Sequence, residues 1–372
     1  MEDFQEWLRL QSTPGVGAQT AADLLRWYGS AAEIFRQPES ALRRHVRPAL
    51  AQALCVVPAG LAQLQARVAD WLNRPAPGVS HAVWTWASDH YPAPLLTLAD
   101  PPLLLYAQGQ LNQSMPSGLA LVGSRNPTAQ GLENAHALAG ELAQAGFCIV
   151  SGLAWGIDAA AHQGALDATP SNLRWPTVAV VGTGLDRVYP ARNTGLAQRI
   201  AQQGLLVSEY PPGTAPMAHH FPQRNRLIAA LSSAVVVVEA SLKSGSLITA
   251  QLALELGREV MAIPGSIHSA QARGCHALIR QGAKLVETTQ DVLEELAPFL
   301  APAPIAPTQA PEETAPSALL RAMGFDPVTP EVLAQRTSLD ISALQAALLN
   351  LELQGVVARL PGGFFQRLRV RC

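Results

Sequence analysis

Net charge is the first thing this chain lacks. Lysine and arginine together number 26 against 28 aspartates and glutamates, a formal charge of −2, so bulk attraction to a polyanion is excluded and any such binding needs a local basic surface. Cysteine is scarce as well. Cys55, Cys148, Cys275 and Cys372 stand far apart and match neither a disulfide framework nor paired zinc spacing, so reduced, structural thiols are expected. No apolar run approaches membrane-spanning length, and the opening residues MEDFQEWLRL carry acids where a signal peptide has a basic start and an apolar core. A cytoplasmic chain without membrane contact is the expectation. No fixed-period repeat is visible.

What the chain does have is apolar bulk: 48% of 372 residues, enough for more than one core. Residues 1–75 read as a helical module, with an apolar periodic run from Leu61 to Leu72. Residues 76–116 hold short apolar pieces broken by prolines and read as an irregular lead-in packed on the next domain. Residues 117–298 form the central domain. The segment FLAPAPIAPTQAPEETAPS, with its repeated prolines, marks a linker over 299–316 because proline removes backbone donors and favours an extended spacer. Residues 317–372 form a C-terminal module.

In the first module, Pro14-Gly15-Val16-Gly17 separates a helical stretch ending near Leu10 from one starting near Ala18. This resembles a helix-hairpin-helix, also met in SAM-like helical modules, whose glycines let backbone N–H groups approach a phosphate. A simple helix-turn-helix packing unit is the other reading, and both stay open. Arg26 is the nearest base in the second helix, and no lysine flanks the turn.

The central domain carries the richest signal. Apolar strand-like runs are followed by LALVGSRNPT, IVSGLAWGIDAAAH, VAVVGTGLDRVYPARN, FPQRNRLIAAL and VVVVEASLKSGSLITAQLALELG, the pattern by which a parallel sheet gathers binding loops along its carboxyl edge. The expected fold is α/β, a Rossmann-like, doubly wound, mostly parallel sheet. The dinucleotide signature Gly-x-Gly-x-x-Gly is missing, and the second strand ends in Ser151-Gly152 instead of an acid. Arg125, in the Gly123-Ser124-Arg125 turn and expected at the start of the following helix, has no packing reason to be cationic and points to an anion. Gly182-Thr183-Gly184 repeats the device with Arg187 nearby. Arg224, Asn225 and Arg226 precede a short helical run from Leu227 to Leu231, where cations need an anion to join them; an ion pair to Glu209 or Glu239 is the competing account for at least one arginine. Lys243-Ser244-Gly245-Ser246 suits phosphate, and Phe221 is placed to stack on a base or to pack against helices.

Taken in order, VGSRNPT, SGLAWGIDAAAHQGAL, VGTGLDRVYPARN, SEYPPG, FPQRNRLIAALS, SGSLITAQLALELGREVMAIPG and GCHALIRQGAKLV resemble the DNA-processing protein A family (DprA/Smf), with likeness from Tyr91 to Leu296. The resemblance implies a single-stranded DNA-binding protein of natural transformation that protects incoming strands and helps load the RecA recombinase. It places DNA binding on Gly123 to Arg125, Phe221 to Arg226 and Lys243 to Ser246, with Gly182 and Gly184 added from the turn pattern. It also implies a homodimer near Leu278 and Ile279. The role of Arg187 stays open.

The C-terminal module reads helix, helix, helix and β-ribbon, with strands either side of Pro361-Gly362-Gly363, a winged-helix pattern. Its longest helix has Asp340 and Glu352 as ionised residues and no cation, so a protein contact is favoured over duplex DNA, while Arg367, Arg369 and Arg371 keep the other reading open. A catalytic alternative is a nucleotide-processing enzyme related to lysine-decarboxylase-like phosphoribohydrolases. Their signature Pro-Gly-Gly-x-Gly-Thr-x-x-Glu becomes LKSGSLITAQ here, without the glutamate. Asp158, Asp186, Glu209 and Glu239 offer no paired acid, and His219, His220, His268 and His276 lack metal spacing. No enzyme, metal or cofactor is expected.

Overall fold

A computed structural model describes residues 4–111, 118–168, 175–296, 319–320, 322–323, 328–337, 339–353, 356–359 and 363–367. It divides into two compact units, residues 1–300 and 301–372.

The first unit is built on a nine-stranded sheet. Its strands are β1 (Ser80–Thr85), β2 (Leu104–Gly109), β3 (Gly118–Val122), β4 (Cys148–Ser151), β5 (Thr177–Val180), β6 (Leu205–Ser208), β7 (Ser232–Val237), β8 (Glu259–Ala262) and β9 (Lys284–Leu285), in spatial order β1-β2-β6-β5-β4-β3-β7-β8-β9. From β6 to β9 every pairing is parallel, and β3 to β5 and β7 are buried over nearly their whole length, as strands covered on both faces must be. The winding runs outward from β3 through β4, β5 and β6, then returns to β7 on the other side of β3. The reversal leaves a crevice at the carboxyl ends of β3 and β7.

The segment expected to be an irregular lead-in is instead part of the sheet. β1 pairs antiparallel with β2 from Ser80↔Gly109 to Thr85↔Leu104, and β2 pairs antiparallel with β6. The prolines that obscured it sit between the strands, in and around the 3₁₀ turn Ala93–Thr97, where a missing N–H costs no ladder bond. Leu104, Leu105, Tyr106 and Ala107 are fully buried because β2 is an interior strand.

Six helices precede the sheet: α1 (Phe4–Ser12), α2 (Ala18–Tyr28), α3 (Ala31–Arg36), α4 (Glu39–Leu42), α5 (Pro48–Cys55) and α6 (Leu61–Leu72). The Pro14–Gly17 hairpin joins α1 to α2, with Gly15 at φ 85°. These helices share a core with the sheet, in which Trp7, Leu8, Leu10, Val68 and Trp71 pack with Leu104, Tyr106 and Ile200. Trp71 meets Tyr106 edge-on at 6.1 Å and stacks on His81 at 4.3 Å.

The remaining helices of this unit are α7 (Ala129–Gln144), α8 (Ile157–Asp167), α9 (Thr194–Gln203), α10 (His220–Ala230), α11 (Ser246–Glu255), α12 (Arg273–Arg280) and α13 (Thr289–Leu296). Phe221, Pro222, Arg224, Asn225 and Arg226 therefore lie inside α10, not in a turn before it. Pro222 falls in the first turn, where its lack of an N–H is tolerated. α12 presses Gly274, Cys275 and Leu278 against the sheet, so Leu278 is a core residue rather than a surface contact, and Ile279 is half-buried beside it. Cys55, Cys148 and Cys275 are free thiols.

The second unit holds α14 (Pro330–Thr337), α15 (Ile341–Leu353), β10 (Val357–Arg359) and β11 (Phe365–Arg367). β10 and β11 pair antiparallel, and Val328 adds an isolated bridge to Phe365. Leu319, Met323, Leu333, Leu344, Leu348 and Val357 form its core. This is the winged helix. Asp340 caps α15 through the Ala343 N–H at 2.9 Å. The proline-rich linker, Arg369 and Arg371 lie outside the described residues.

One core group ties stability to pH. His162 is fully buried, and its Nδ1 lies 2.6 Å from Thr177 Oγ1, which itself donates to the Ile149 carbonyl at 2.6 Å. The ring thus carries its proton on Nδ1, and Nε2 is buried without a partner. Burial pushes the imidazole from 6.5 down to about 3. A depressed folded pKa contributes stability present above the unfolded value and lost as the pH falls from 6.5 toward about 3. His162→Gln is expected to cost stability at neutral pH and to flatten the decline of unfolding free energy between about pH 6 and pH 4 by up to about 1.4 kcal/mol per pH unit. Urea titrations across that range test this; parallel slopes would remove His162 from the acid limb.

Candidate nucleic-acid interface

The crevice at the sheet's reversal encloses about 810 Å³. Its first wall is the turn after β3. Ser124 N donates to the Glu239 carbonyl at 2.7 Å and the Ser124 carbonyl accepts from Ile157 N at 3.2 Å, which clamps the turn between β7 and α8. Gly123 has no room for a side chain, since a Cβ would come within 2.7 Å of Ile157. Gly156 is left-handed at φ 93°, and a Cβ there would meet the Ser124 carbonyl at 2.4 Å. Arg125 is left exposed on this rigid turn, its guanidinium 5.5 Å from the centre of the Phe221 ring.

Arg125 does not sit on a helix N-terminus. α7 begins four residues later, capped by Thr128, whose Oγ1 accepts from Gly131 N at 3.0 Å. The Glu239 carboxylate accepts Thr128 N at 2.9 Å and the Thr128 hydroxyl at 2.5 Å. The position an anion would take at this helix end is already filled by the protein's own acid.

The opposite wall is the turn Lys243–Ser246 leading into α11. Ser244 and Ser246 share a hydroxyl hydrogen bond of 2.7 Å, Ser246 N donates to the Ser244 hydroxyl at 3.4 Å, and the Leu247 and Ile248 N–H groups donate to the Ser244 and Gly245 carbonyls at 3.2 Å, so the turn closes its own helix end. Gly245 keeps φ at −63° and a Cβ there would meet nothing, so its use lies in open backbone rather than in packing. Lys243 is exposed, and among the described residues neither it nor Arg125 has a carboxylate within ion-pair distance.

α10 supplies the floor. Arg224 is only 3% exposed, and its guanidinium donates to the carbonyls of Gly152 and Val180, tying together the ends of β4 and β5. Burial pulls it down to about 10, with Asp158 opposing, so it is a cation at neutral pH. Asp158 accepts the Gly152 and Ala154 N–H groups at 3.2 and 3.3 Å; burial raises its carboxyl above the ordinary range and Arg224 draws it back. Asn225, next along α10, faces the crevice and reaches the Gly245 carbonyl at 3.3 Å. Arg226 does not line it. It is ion-paired with the half-sequestered Glu209, whose carboxyl is raised by burial and lowered by Arg226.

Gly182 and Gly184 also fall outside the crevice lining. The start of α10 covers Gly182, with His220 Nδ1 3.1 Å from its carbonyl, and the Pro211–Thr214 loop covers Gly184, whose N donates to the Thr214 carbonyl at 3.1 Å. Arg187 pairs with Asp186 at 3.4 Å. The crevice thus gathers Gly123, Ser124, Arg125, Phe221, Arg224, Asn225, Lys243, Ser244, Gly245 and Ser246. It adds three groups that sequence reasoning missed: Tyr189, whose ring is 5.5 Å from Phe221, Asn126, and Gln271, which accepts from the Ser124 hydroxyl at 3.2 Å. Tyr189 was legible only as one aromatic in the YPARN stretch.

A wide crevice, with Asp158 as the carboxylate of its described lining and an exposed arginine and lysine on its edges, at the reversal of a doubly wound sheet, defines a protein of the doubly wound α/β class. The chain belongs to the family of the DNA recombination-mediator protein A, whose model matches residues 82–297, and the DprA winged helix domain matches residues 301–363. Protein Smf of Escherichia coli (strain K12) is 36% identical over all of this chain and 98% of its own length. The solved structure of DNA processing protein A from Streptococcus pneumoniae superposes with a TM-score of 0.66 at 35% identity, covering 79% of this chain and 99% of that one. A second, from Helicobacter pylori, is described by its single-stranded DNA binding mode; it gives a TM-score of 0.52 at 31% identity over 59% of this chain and 97% of its own.

Removing the buried guanidinium strands two strand-end carbonyls and the Asp158 carboxylate. Arg224→Ala is expected to lower stability by about 3–5 kcal/mol, with Arg224→Lys recovering only part because an ammonium lacks the planar fork. Denaturant unfolding at parental concentration in the alanine variant would show that the floor does not depend on this group.

Proposed function

We propose that this chain binds single-stranded DNA in the crevice, with Arg125 and Lys243 on phosphates, the Ser244 and Ser246 hydroxyls beside them, and Phe221 and Tyr189 against bases. One observation carries the reading: two exposed cations without carboxylate partners flank an aromatic ring over which one of them already lies. A duplex keeps its bases stacked inside, so rings in a crevice favour a single strand. On this reading the protein is a mediator of natural transformation that protects incoming strands and helps load RecA, acting in the cytoplasm as a homodimer. Residues 1–75, the central domain to 298 and the winged helix from 317 act as its modules, the last through protein contact.

Binding without catalysis is supported by the acid inventory. Asp158 is the carboxylate of the described crevice lining, and it is occupied by two amides and Arg224, so a phosphoribohydrolase mechanism has no second acid to pair with it.

The test is anisotropy with single-stranded and duplex DNA over a salt series. Arg125→Ala and Lys243→Ala should each weaken single-strand binding and lower the slope of log K against log salt by roughly 0.7, whereas Arg226→Ala leaves the slope unchanged because its charge is spent on Glu209. Unchanged affinity and slope in the Arg125/Lys243 double variant would overturn the site.

On the same reading, self-association uses the α12 side, through the half-buried Ile279. Ile279→Glu is expected to sediment as a monomer with a near-parental melting transition and weaker binding to long strands through lost bivalency. An unfolded product or an intact dimer rejects that contact.

A further inference from the structure

Beside the crevice stands a second aromatic–cation pair. Trp155 is 43% exposed, and the Arg192 guanidinium lies 4.1 Å from the centre of its ring. Trp155 follows Ala154, and Arg192 comes shortly after Tyr189; Ala154 and Tyr189 both line the crevice. An exposed indole forgoes a large apolar burial, so its position calls for a reason.

The loop that carries Trp155 is built and not loose. Leu153 holds a left-handed backbone at φ 55°, the one non-glycine with positive φ among the described residues, a conformation that persists only where the surroundings impose it. The surroundings are buried polar groups. Asn193, itself 4% exposed, donates from Nδ2 to the Leu153 carbonyl at 2.9 Å, and Asp158 accepts Ala154 N. Asn193 also ends the short turn Ala191–Asn193 that carries Arg192. One buried amide therefore fixes the indole and the guanidinium relative to each other. Among the described residues no carboxylate pairs with Arg192, which leaves its charge available.

We infer that the Trp155–Arg192 pair is a second stacking and phosphate station, which takes a base and its phosphate from the same single strand after it leaves the crevice. This rests on the reading of the crevice itself, and continuity with its lining selects a nucleic-acid occupant over a second protein copy. Stacking on an indole tolerates any base, so the station lengthens the footprint without adding sequence preference.

The experiment compares oligothymidylates of about 6 and about 18 nucleotides, spanning short to long single-strand site sizes, on the full chain. Trp155→Ala and Arg192→Ala should leave the short strand unaffected and weaken the long one, about 10- to 100-fold for the tryptophan, with Trp155→Phe restoring most of the loss. Arg125→Ala should weaken both lengths. If Arg125→Ala weakens both and Trp155→Ala weakens neither, the station is refuted and the crevice stands; if Arg125→Ala weakens neither, the crevice reading fails first. Equal loss on both lengths in Trp155→Ala, with melting unchanged, would show a loop that only shapes the crevice. Conversion of a dimer to a monomer by Trp155→Ala would assign the indole to a protein contact. Either result overturns the inference.

Discussion

A parallel sheet ends in carbonyls that its own ladder cannot satisfy, and here a guanidinium answers them. Arg224 crosses beneath the crevice to bond the ends of β4 and β5, with Asp158 as the counter-charge that keeps a buried cation tolerable. Much else follows from that placement. It pins α10 to the sheet, which sets Phe221 at the mouth and closes Gly182 beneath His220. It also holds the β4 end, from which the Leu153–Trp155 loop departs. A group buried beneath the crevice thereby determines where the exposed groups stand.

Three of the helices that begin near the crevice are met differently at their N-termini. α7 has its N-terminus filled by Glu239. α8 carries Asp158 in its own first turn. α11 starts from a glycine with no side-chain cap and a lysine just upstream. Two of these ends are met by acids, and the third by its own turn, where Ser244 and Gly245 accept the first N–H groups and no acid intervenes. Exposed cations without a carboxylate partner in the crevice, Arg125 and Lys243, supply local positive charge in a chain whose total charge is −2.

The walls were legible in the sequence and the floor was not. Gly123–Arg125 and Lys243–Ser246 each follow a run of apolar residues ending abruptly in small ones, so strand, turn and helix could be read in succession. FPQRNRL could not be resolved that way, because proline suggested a break where the chain in fact starts a helix. Once the segment is helical, consecutive side chains diverge by about 100°: Arg224 goes into the sheet, Asn225 to the crevice and Arg226 to Glu209, three fates that a linear string of basic residues does not separate. β1 and β2 were hidden for a related reason, since prolines between strands look the same in sequence as prolines breaking them. Leu278 and Ile279 differ by one position on a helix edge, and only packing tells which of them the core claims.

The sharing of one core by the N-terminal helices and the sheet sets an order for the chain's own assembly. Trp7, Leu8 and Trp71 pack against β2 and α9, and β2 becomes interior only when β6 lies beside it. As the polypeptide grows, the face of the helical module that meets β2 and α9 stays uncovered until α9 and β6 have been made. Such long-range closure is slow and leaves hydrophobic surface open to misassociation. The cover for part of the first module is therefore encoded more than a hundred residues downstream.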